Sequence, residues 1–264
     1  MDGIGEAFDL PRIDRYVAIG DSQTEGLHDY EGGSDVPIGW ADRLAFALSD
    51  RNPDLLYANL AVRGKRAHEI RREQLEAALA FSPDLVSVMA GVNDVIRPRT
   101  DLLAVAKELD TMYAALSESG ARVVGSTFPL PAVGMTRRIA PRVRSLNAWI
   151  RRTADRYGVL LVELEDVPVA GDPRLWNPDR LHLNSEGHRR LAEAFAARLS
   201  GRPDGPWKEP LPPAREPTRI GSVAREGAWV VQYLLPKLVR MVQGKSSGDG
   251  RYPKRASLSP VEKR

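Results

Sequence analysis

Short apolar runs alternate with longer amphipathic stretches along the first 200 residues. The runs are Tyr16-Val17-Ala18-Ile19, Leu55-Leu56-Tyr57-Ala58, Leu85-Val86-Ser87-Val88-Met89, Arg122-Val123-Val124-Gly125 and Val159-Leu160-Leu161-Val162. They are mostly continuous rather than alternating, as strands covered on both faces require. Between them, helical spacing predicts helices over 40–48, 67–80, 102–119, 142–157 and 185–199. Gly120 and Gly158 stand where a helix end takes a left-handed residue, and Asn184 or Ser185 suits the start of the last helix. Five strands alternating with helices predict an α/β chain with a five-stranded parallel sheet, because parallel strands need crossovers that cover both faces.

In such sheets functional groups gather beyond the carboxyl ends of the strands. Gly20-Asp21-Ser22 follows the first run, residues 59–64 follow the second, and Gly91-Val92-Asn93-Asp94 follows the third. All three stretches are small, polar and glycine-bearing, and together they form a candidate site.

Ser22 alone suits a helix N-cap as well as a nucleophile, since serine needs a neighbouring base to act. Four histidines are available. His28 lies in a polar loop, His68 opens a helix among charges, and His188, beside Arg189 and Arg190, reads as part of a solvated face. His182 precedes the last helix with Asp179 three residues earlier, a spacing at which a carboxylate reaches the imidazole and sets its tautomer. Gly64 can present a bare backbone N–H and Asn93 a side-chain amide to a developing oxyanion, although both also suit ordinary turns.

Taken in order, four blocks resemble the SGNH (GDSL-type) hydrolases. Gly20-Asp21-Ser22-Gln23-Thr24-Glu25-Gly26 is similar to their first block, Asn59-Leu60-Ala61-Val62-Arg63-Gly64 to the second, Gly91-Val92-Asn93-Asp94 to the third and Asp179-Arg180-Leu181-His182 to the last. The resemblance implies a flavodoxin-like three-layer α/β/α sandwich and ester hydrolysis without metal or cofactor. It implies Ser22 as nucleophile, His182 as base and Asp179 as its orienter. The Ser22 and Gly64 N–H groups and the Asn93 amide would form the oxyanion hole, with Asp21 and Asp94 supporting. Gln23 replaces the leucine of the GDSL name and Leu183 stands where proline is frequent, departures expected to matter little. The expected substrate is a small acyl or acetyl ester. A longer-chain lysophospholipase or thioesterase is the rival enzyme, and a non-catalytic binding module on the same fold is the rival from another class. Residues 28–39 are a candidate flap, and residues 128–135 a candidate acyl pocket.

Composition sharpens this picture at two points. A 264-residue chain without cysteine has one sizeable core and no disulfide, thiolate metal site or cysteine nucleophile. The net charge of +3 is uneven: the 64 residues after Ser200 hold 13 Lys/Arg against 6 Asp/Glu and nine of the 20 prolines. The boundary therefore falls at residue 200, with a hydrolase domain over 1–200 and a basic, proline-rich extension over 201–264. Within the extension, residues 228–243 read as a short amphipathic helix interrupted at Pro236, followed by a mobile end. Folding back on the body is the first expectation for it, with an anionic membrane or a partner contacting residues 228–264 as alternatives. The acidic body gives no nucleic-acid footprint, and no Gly-x-x-x-x-Gly-Lys-Ser/Thr run cradles a phosphate. No basic-then-apolar leader precedes Asp14 and no apolar run reaches the ~20 residues that span a bilayer, so the expected location is cytoplasmic.

Overall fold

The structure is a computed structural model that describes residues 4–30, 33–130, 134–213, 227–243 and 246–262. Strands β1 (Arg15–Gly20), β2 (Leu56–Asn59), β3 (Leu85–Met89), β4 (Arg122–Ser126) and β5 (Leu160–Val162) are parallel neighbours in the order 2-1-3-4-5. This is the flavodoxin-like order, and it reverses direction at β1. All five residues of β3 are buried, as are those of β1 after Arg15, because helices cover both faces. The continuous apolar runs in the sequence thus carry the reason for their position.

A sixth strand, β6 (Arg255–Pro260), pairs antiparallel with β2 at the sheet edge. This corrects two expectations, a five-stranded sheet and a mobile chain end. The segment Arg255-Ala256-Ser257-Leu258-Ser259-Pro260 has no continuous apolar run because an edge strand is covered less than a central one. Lys254 secures it: its ammonium is nearly buried, 2.9 Å from the Asp42 carboxylate, and donates to the Pro37 and Ile38 carbonyls.

The helices that matter for the site are α1 (Ser22–Glu25), α2 (Gly39–Arg51), α3 (Ala67–Ile70), α4 (Glu76–Ala80), α5 (Val92–Val95), α6 (Leu102–Glu118), α7 (Ala140–Tyr157) and α8 (Ser185–Leu199). A π-helical turn, Arg71–Leu75, joins α3 to α4. α2 packs on α8 through Trp40 and Phe195, whose rings stack 4.2 Å apart, while α6 packs on α7. The predicted helix starts and ends hold where caps were read. Asn184 Oδ1 accepts from the Gly187 N–H, and Gly158 adopts the left-handed conformation. In the extension, a π turn (Val230–Leu234) passes into α9 (Leu235–Val242) one residue before Pro236. Among the described residues no helix is long and apolar enough to cross a membrane.

His188 is fully buried, against the reading of a solvated face. Its helix α8 turns inward there, and Nδ1 accepts from the Trp40 N–H at 3.2 Å while Nε2 faces the Leu27 carbonyl at 3.4 Å. Burial pushes its pKa down to about 4, with Asp29 opposing and Lys254 and Arg43 adding to the shift. Because the folded pKa lies below the ordinary 6.5, the unfolded chain takes up this proton first as pH falls. Stability is therefore full above pH 6.5 and declines as pH falls toward 4. Urea denaturation at pH 7.5, 5.5 and 4.5 should show that decline, and His188→Gln should flatten it; equal slopes for the two proteins would assign the acid sensitivity elsewhere.

Candidate active site

The sheet edge where β1 and β3 end carries the blocks singled out in the sequence. Asp21 caps α1 by accepting from the Gln23 N–H at 3.1 Å, which sets Ser22 at the first position of the helix. The approach is tight: a Cβ on Gly20 would fall 2.4 Å from Thr24 Oγ1 and 2.7 Å from the Met89 carbonyl, so only glycine fits. Gln74, on the π turn, clamps the same residue, accepting from the Gly20 N–H at 2.8 Å and donating to its carbonyl at 2.9 Å. Sequence reading missed Gln74. Its signal was a polar residue at the buried spacing Ile70, Gln74, Ala78, and the π turn is what aims it at the strand end.

His182 Nε2 lies 2.9 Å from Ser22 Oγ, and Nδ1 lies 2.5 Å from Asp179 Oδ2. Asp179 Oδ1 meanwhile accepts from the backbone N–H groups of Leu181 and His182, so the turn that the Asp-x-x-His spacing predicts is closed on itself. Burial would raise the Asp179 pKa, but hydrogen bonds from His182 and His28 overcome it and hold the carboxyl far below the usual carboxylate range. His28 was read as a loop residue, yet its Nε2 stands 3.4 Å from Asp179 Oδ2 and its ring meets His182 edge-on at 5.3 Å. His28, Asp179 and His182 are close enough to hold a small cation. A cation there would displace the proton that Nδ1 shares with Asp179.

The second and third blocks meet α1 through polar side chains. Glu25 is buried and accepts from the Arg63 N–H at 2.7 Å and from its guanidinium, while Asn59 Nδ2 donates to the Thr24 carbonyl at 2.8 Å. These contacts hold the loop in which Gly64 turns at φ +77°. Asn93 Nδ2 donates to Asp21 Oδ2 at 3.0 Å and to the Lys65 carbonyl at 3.1 Å. Asp94 Oδ2 accepts from the Ala67 N–H at 2.9 Å, tying the third block to the start of α3, and burial raises its pKa. Gln23 also has more to do than its departure from leucine suggested. Its amide donates to the Leu181 carbonyl at 2.8 Å and its oxygen faces the Leu183 N–H at 3.4 Å, so it stitches the serine helix to the histidine loop.

Ser22, Gly64, Asn93, Asp179 and His182 line one cavity of about 480 Å³. A sequence profile of the GDSL-like lipase/acylhydrolase family matches residues 18–190. The chain belongs to that family. This acylhydrolase is a serine ester hydrolase, and its three-layer α/β/α fold recurs among solved structures. LAE5, an alpha/beta hydrolase enzyme from the metagenome of Lake Arreo, Spain, is 26% identical with a TM-score of 0.59 over 73% of this chain and 97% of that one. TesA is 24% identical with a TM-score of 0.60 over 71% and 99%. Axe2, an acetylxylan esterase from Geobacillus stearothermophilus, is 19% identical with a TM-score of 0.59 over 72% and 95%. Comparison with curated proteins returned no match.

The relatives cover about 70% of the acylhydrolase, and the extension adds to the cavity what the four blocks lack. Gln232, Tyr233, Pro236, Arg240, Ser246, Ser247 and Arg251 form part of the wall. Trp229 is buried and its indole N–H donates to the Asp179 carbonyl at 3.1 Å, with the Arg180 guanidinium 4.7 Å above the ring. From the candidate flap, His28 and Tyr30 also line the cavity. From the candidate acyl pocket, Phe128, Pro129 and Leu130 line a neighbouring apolar cavity; residues 131–133 lie outside the described residues.

Proposed function

We propose that this acylhydrolase cleaves esters of short acyl groups through a covalent acyl-enzyme, with Ser22, His182 and Asp179 as nucleophile, base and orienter. The unbroken chain of contacts Ser22 Oγ–His182 Nε2 and His182 Nδ1–Asp179 Oδ2 carries the reading. Ser22 Oγ attacks the ester carbonyl while His182 Nε2 accepts its proton, and Asp179 stabilises the imidazolium that results. The tetrahedral oxyanion rests on the Ser22 and Gly64 N–H groups and the Asn93 amide. His182 returns the proton to the departing alcohol, and a water molecule repeats the sequence to release the acid.

Asn93 enters this scheme with both amide hydrogens engaged, one by Asp21 and one by the Lys65 carbonyl. The oxyanion takes over the hydrogen that Lys65 holds, while Asp21 keeps the amide in place. Asn93→Ala should therefore lower kcat by ~10²–10³ with little change in KM, as loss of one oxyanion donor does. Steady-state kinetics on p-nitrophenyl butyrate would read it, and full activity would remove Asn93 from the oxyanion hole.

The short-acyl assignment comes from size. The apolar cavity shares Ile96 and Leu181 with the serine cavity, adds Val92, Phe128, Leu130 and Val143, and encloses about 90 Å³. That is room for on the order of six water-sized groups. A series of p-nitrophenyl esters from acetate to palmitate should peak between acetate and hexanoate and fall steeply beyond. A maximum at laurate or longer would instead favour the lysophospholipase or thioesterase reading.

A further inference from the structure

The serine cavity is much larger than the apolar one, and its charge is one-sided. Besides the serine machinery it is lined by Arg63, Arg97, Arg240 and Arg251. The carboxylates around it already have partners. Glu25 is paired with Arg63, Asp179 is held by His182 and His28, and Asp249 accepts from the Ser246 N–H. Among the described residues no carboxylate forms an ion pair with Arg97, Arg240 or Arg251. Arg97 spends one N–H on the Asn93 carbonyl at 2.7 Å and Arg251 Nε spends one on the Ser247 carbonyl at 3.2 Å, and both residues line the cavity.

Arg240 and Arg251 belong to a segment of the extension that is anchored on both sides. Trp229 secures the segment before α9 to the Asp179 loop, and Lys254 with β6 secures the chain beyond it to the sheet edge. Between the anchors, the loop after α9 lies directly on the second block. Ser246 Oγ donates to the Gly64 carbonyl at 3.4 Å, and a Cβ on Gly248 would fall 2.2 Å from the Arg63 carbonyl. The Arg251 N–H donates to the Gly248 carbonyl at 3.1 Å, so its backbone is tied to this loop. Burial and the neighbouring Arg66 disfavour the charge on Arg97 more than Asp94 and Glu69 favour it, a balance that an incoming anion improves.

We propose that the alcohol half of the substrate carries an anionic group, a carboxylate or a phosphate, bound between Arg97, Arg240 and Arg251. The proposal rests on the esterase reading above and adds the class of alcohol to it. The acyl chain occupies the apolar cavity beside Phe128, the carbonyl sits at Ser22, and the alcohol extends under the extension toward the guanidinium groups. Planar guanidinium forks match the paired oxygens of carboxylate and phosphate, and such charge-assisted bonds are stronger than those between neutral groups. A basic extension on an acidic body then has a local purpose: its Arg240 and Arg251 double the arginines that line the cavity.

The test compares 4-acetoxybenzoate and 4-acetoxyphenyl phosphate with the neutral methyl 4-acetoxybenzoate, each rate divided by that ester's own alkaline hydrolysis rate. The full chain should prefer at least one anion by about ten-fold in kcat/KM, through KM. In the double variant Arg240→Ser, Arg251→Ser the ratio of anion to neutral ester should fall toward one, and 0.5 M NaCl should erode it in the parent protein. The larger of the two anionic ratios says whether carboxylate or phosphate is preferred. A ratio near one in the parent, or a ratio that survives in the double variant, overturns the proposal. Cleavage of the neutral ester by the parent but not by Ser22→Ala reads the esterase assignment separately. Should no ester be cleaved, calorimetric binding of 4-acetoxyphenyl phosphate still decides: binding that is lost in the double variant upholds the anion site, and its absence in the parent removes it. Arg240 and Arg251 are exposed, so melting curves of the variant should match the parent.

Discussion

Ser22→Ala should abolish ester hydrolysis, lowering kcat by ~10⁴–10⁶ while the protein folds as before. The size of the loss follows from the proposed mechanism. Without Oγ no acyl-enzyme forms, and His182 can act only on water, which no bond holds at the carbonyl. The stability side follows from the contacts, since among the described residues Ser22 Oγ bonds only to His182 Nε2, at 2.9 Å. Removing that oxygen leaves the imidazole edge facing the cavity, where water can meet it, so no buried polar group is orphaned. The measurement is p-nitrophenyl butyrate turnover beside a thermal melt. A variant that retains more than about a hundredth of parental kcat would require another nucleophile, far outside the residual catalysis that such sites show without one.

Asp179→Asn should cost ~10⁴ in kcat near neutral pH and leave the loop largely in place. The asparagine oxygen can still accept from the Leu181 and His182 N–H groups, as Asp179 Oδ1 does at 2.9 and 3.1 Å. Its NH₂ would face His182 Nδ1, where Oδ2 now stands at 2.5 Å. Two donors cannot share that contact, so the imidazole moves its proton to Nε2 and can no longer accept one from Ser22. The pH dependence separates this role from a structural one. The Asp179 carboxyl is held far below the usual carboxylate range, so the stability it lends is present above that range and lost only as pH falls through strongly acid values. It remains ionised down to pH 4 or so, and the acid limb of the parent's pH–rate profile should not report it. A low activity in Asp179→Asn that recovers at high pH with hydroxide as base would match the tautomer argument. A variant that simply melts early, with normal kcat in the folded fraction, would assign Asp179 to the loop alone.

How far the sequence could be read depended on how local each cause was. The parallel strands came within one residue of their observed ends because a strand covered on both faces must be apolar throughout. The helix ends at Gly158 and Asn184 were legible because caps are solved by neighbouring residues. β6 was not legible. Its Ser-, Arg- and Pro-bearing segment becomes a strand only because β2 offers unpaired edge groups and Lys254 finds Asp42. Gln74 needed the π turn to aim it at Gly20, and His188 needed α2 against α8 to bury it beside charged neighbours that reach the surface.

For the site itself, the spacing Asp179 to His182 and the order of the four blocks lie in the chain and needed no coordinates, because a three-residue turn and the strand-end positions are short-range consequences of sequence. Tertiary structure alone decided that His28 shares Asp179 with His182, that Gln23 ties the serine helix to Leu181, and that the basic extension lines the serine cavity. Those contacts join residues that lie far apart along the chain, in the longest cases at opposite ends. Such contacts form only when the sheet order brings strand ends and chain end to the same edge, a geometry that no local pattern of residues encodes.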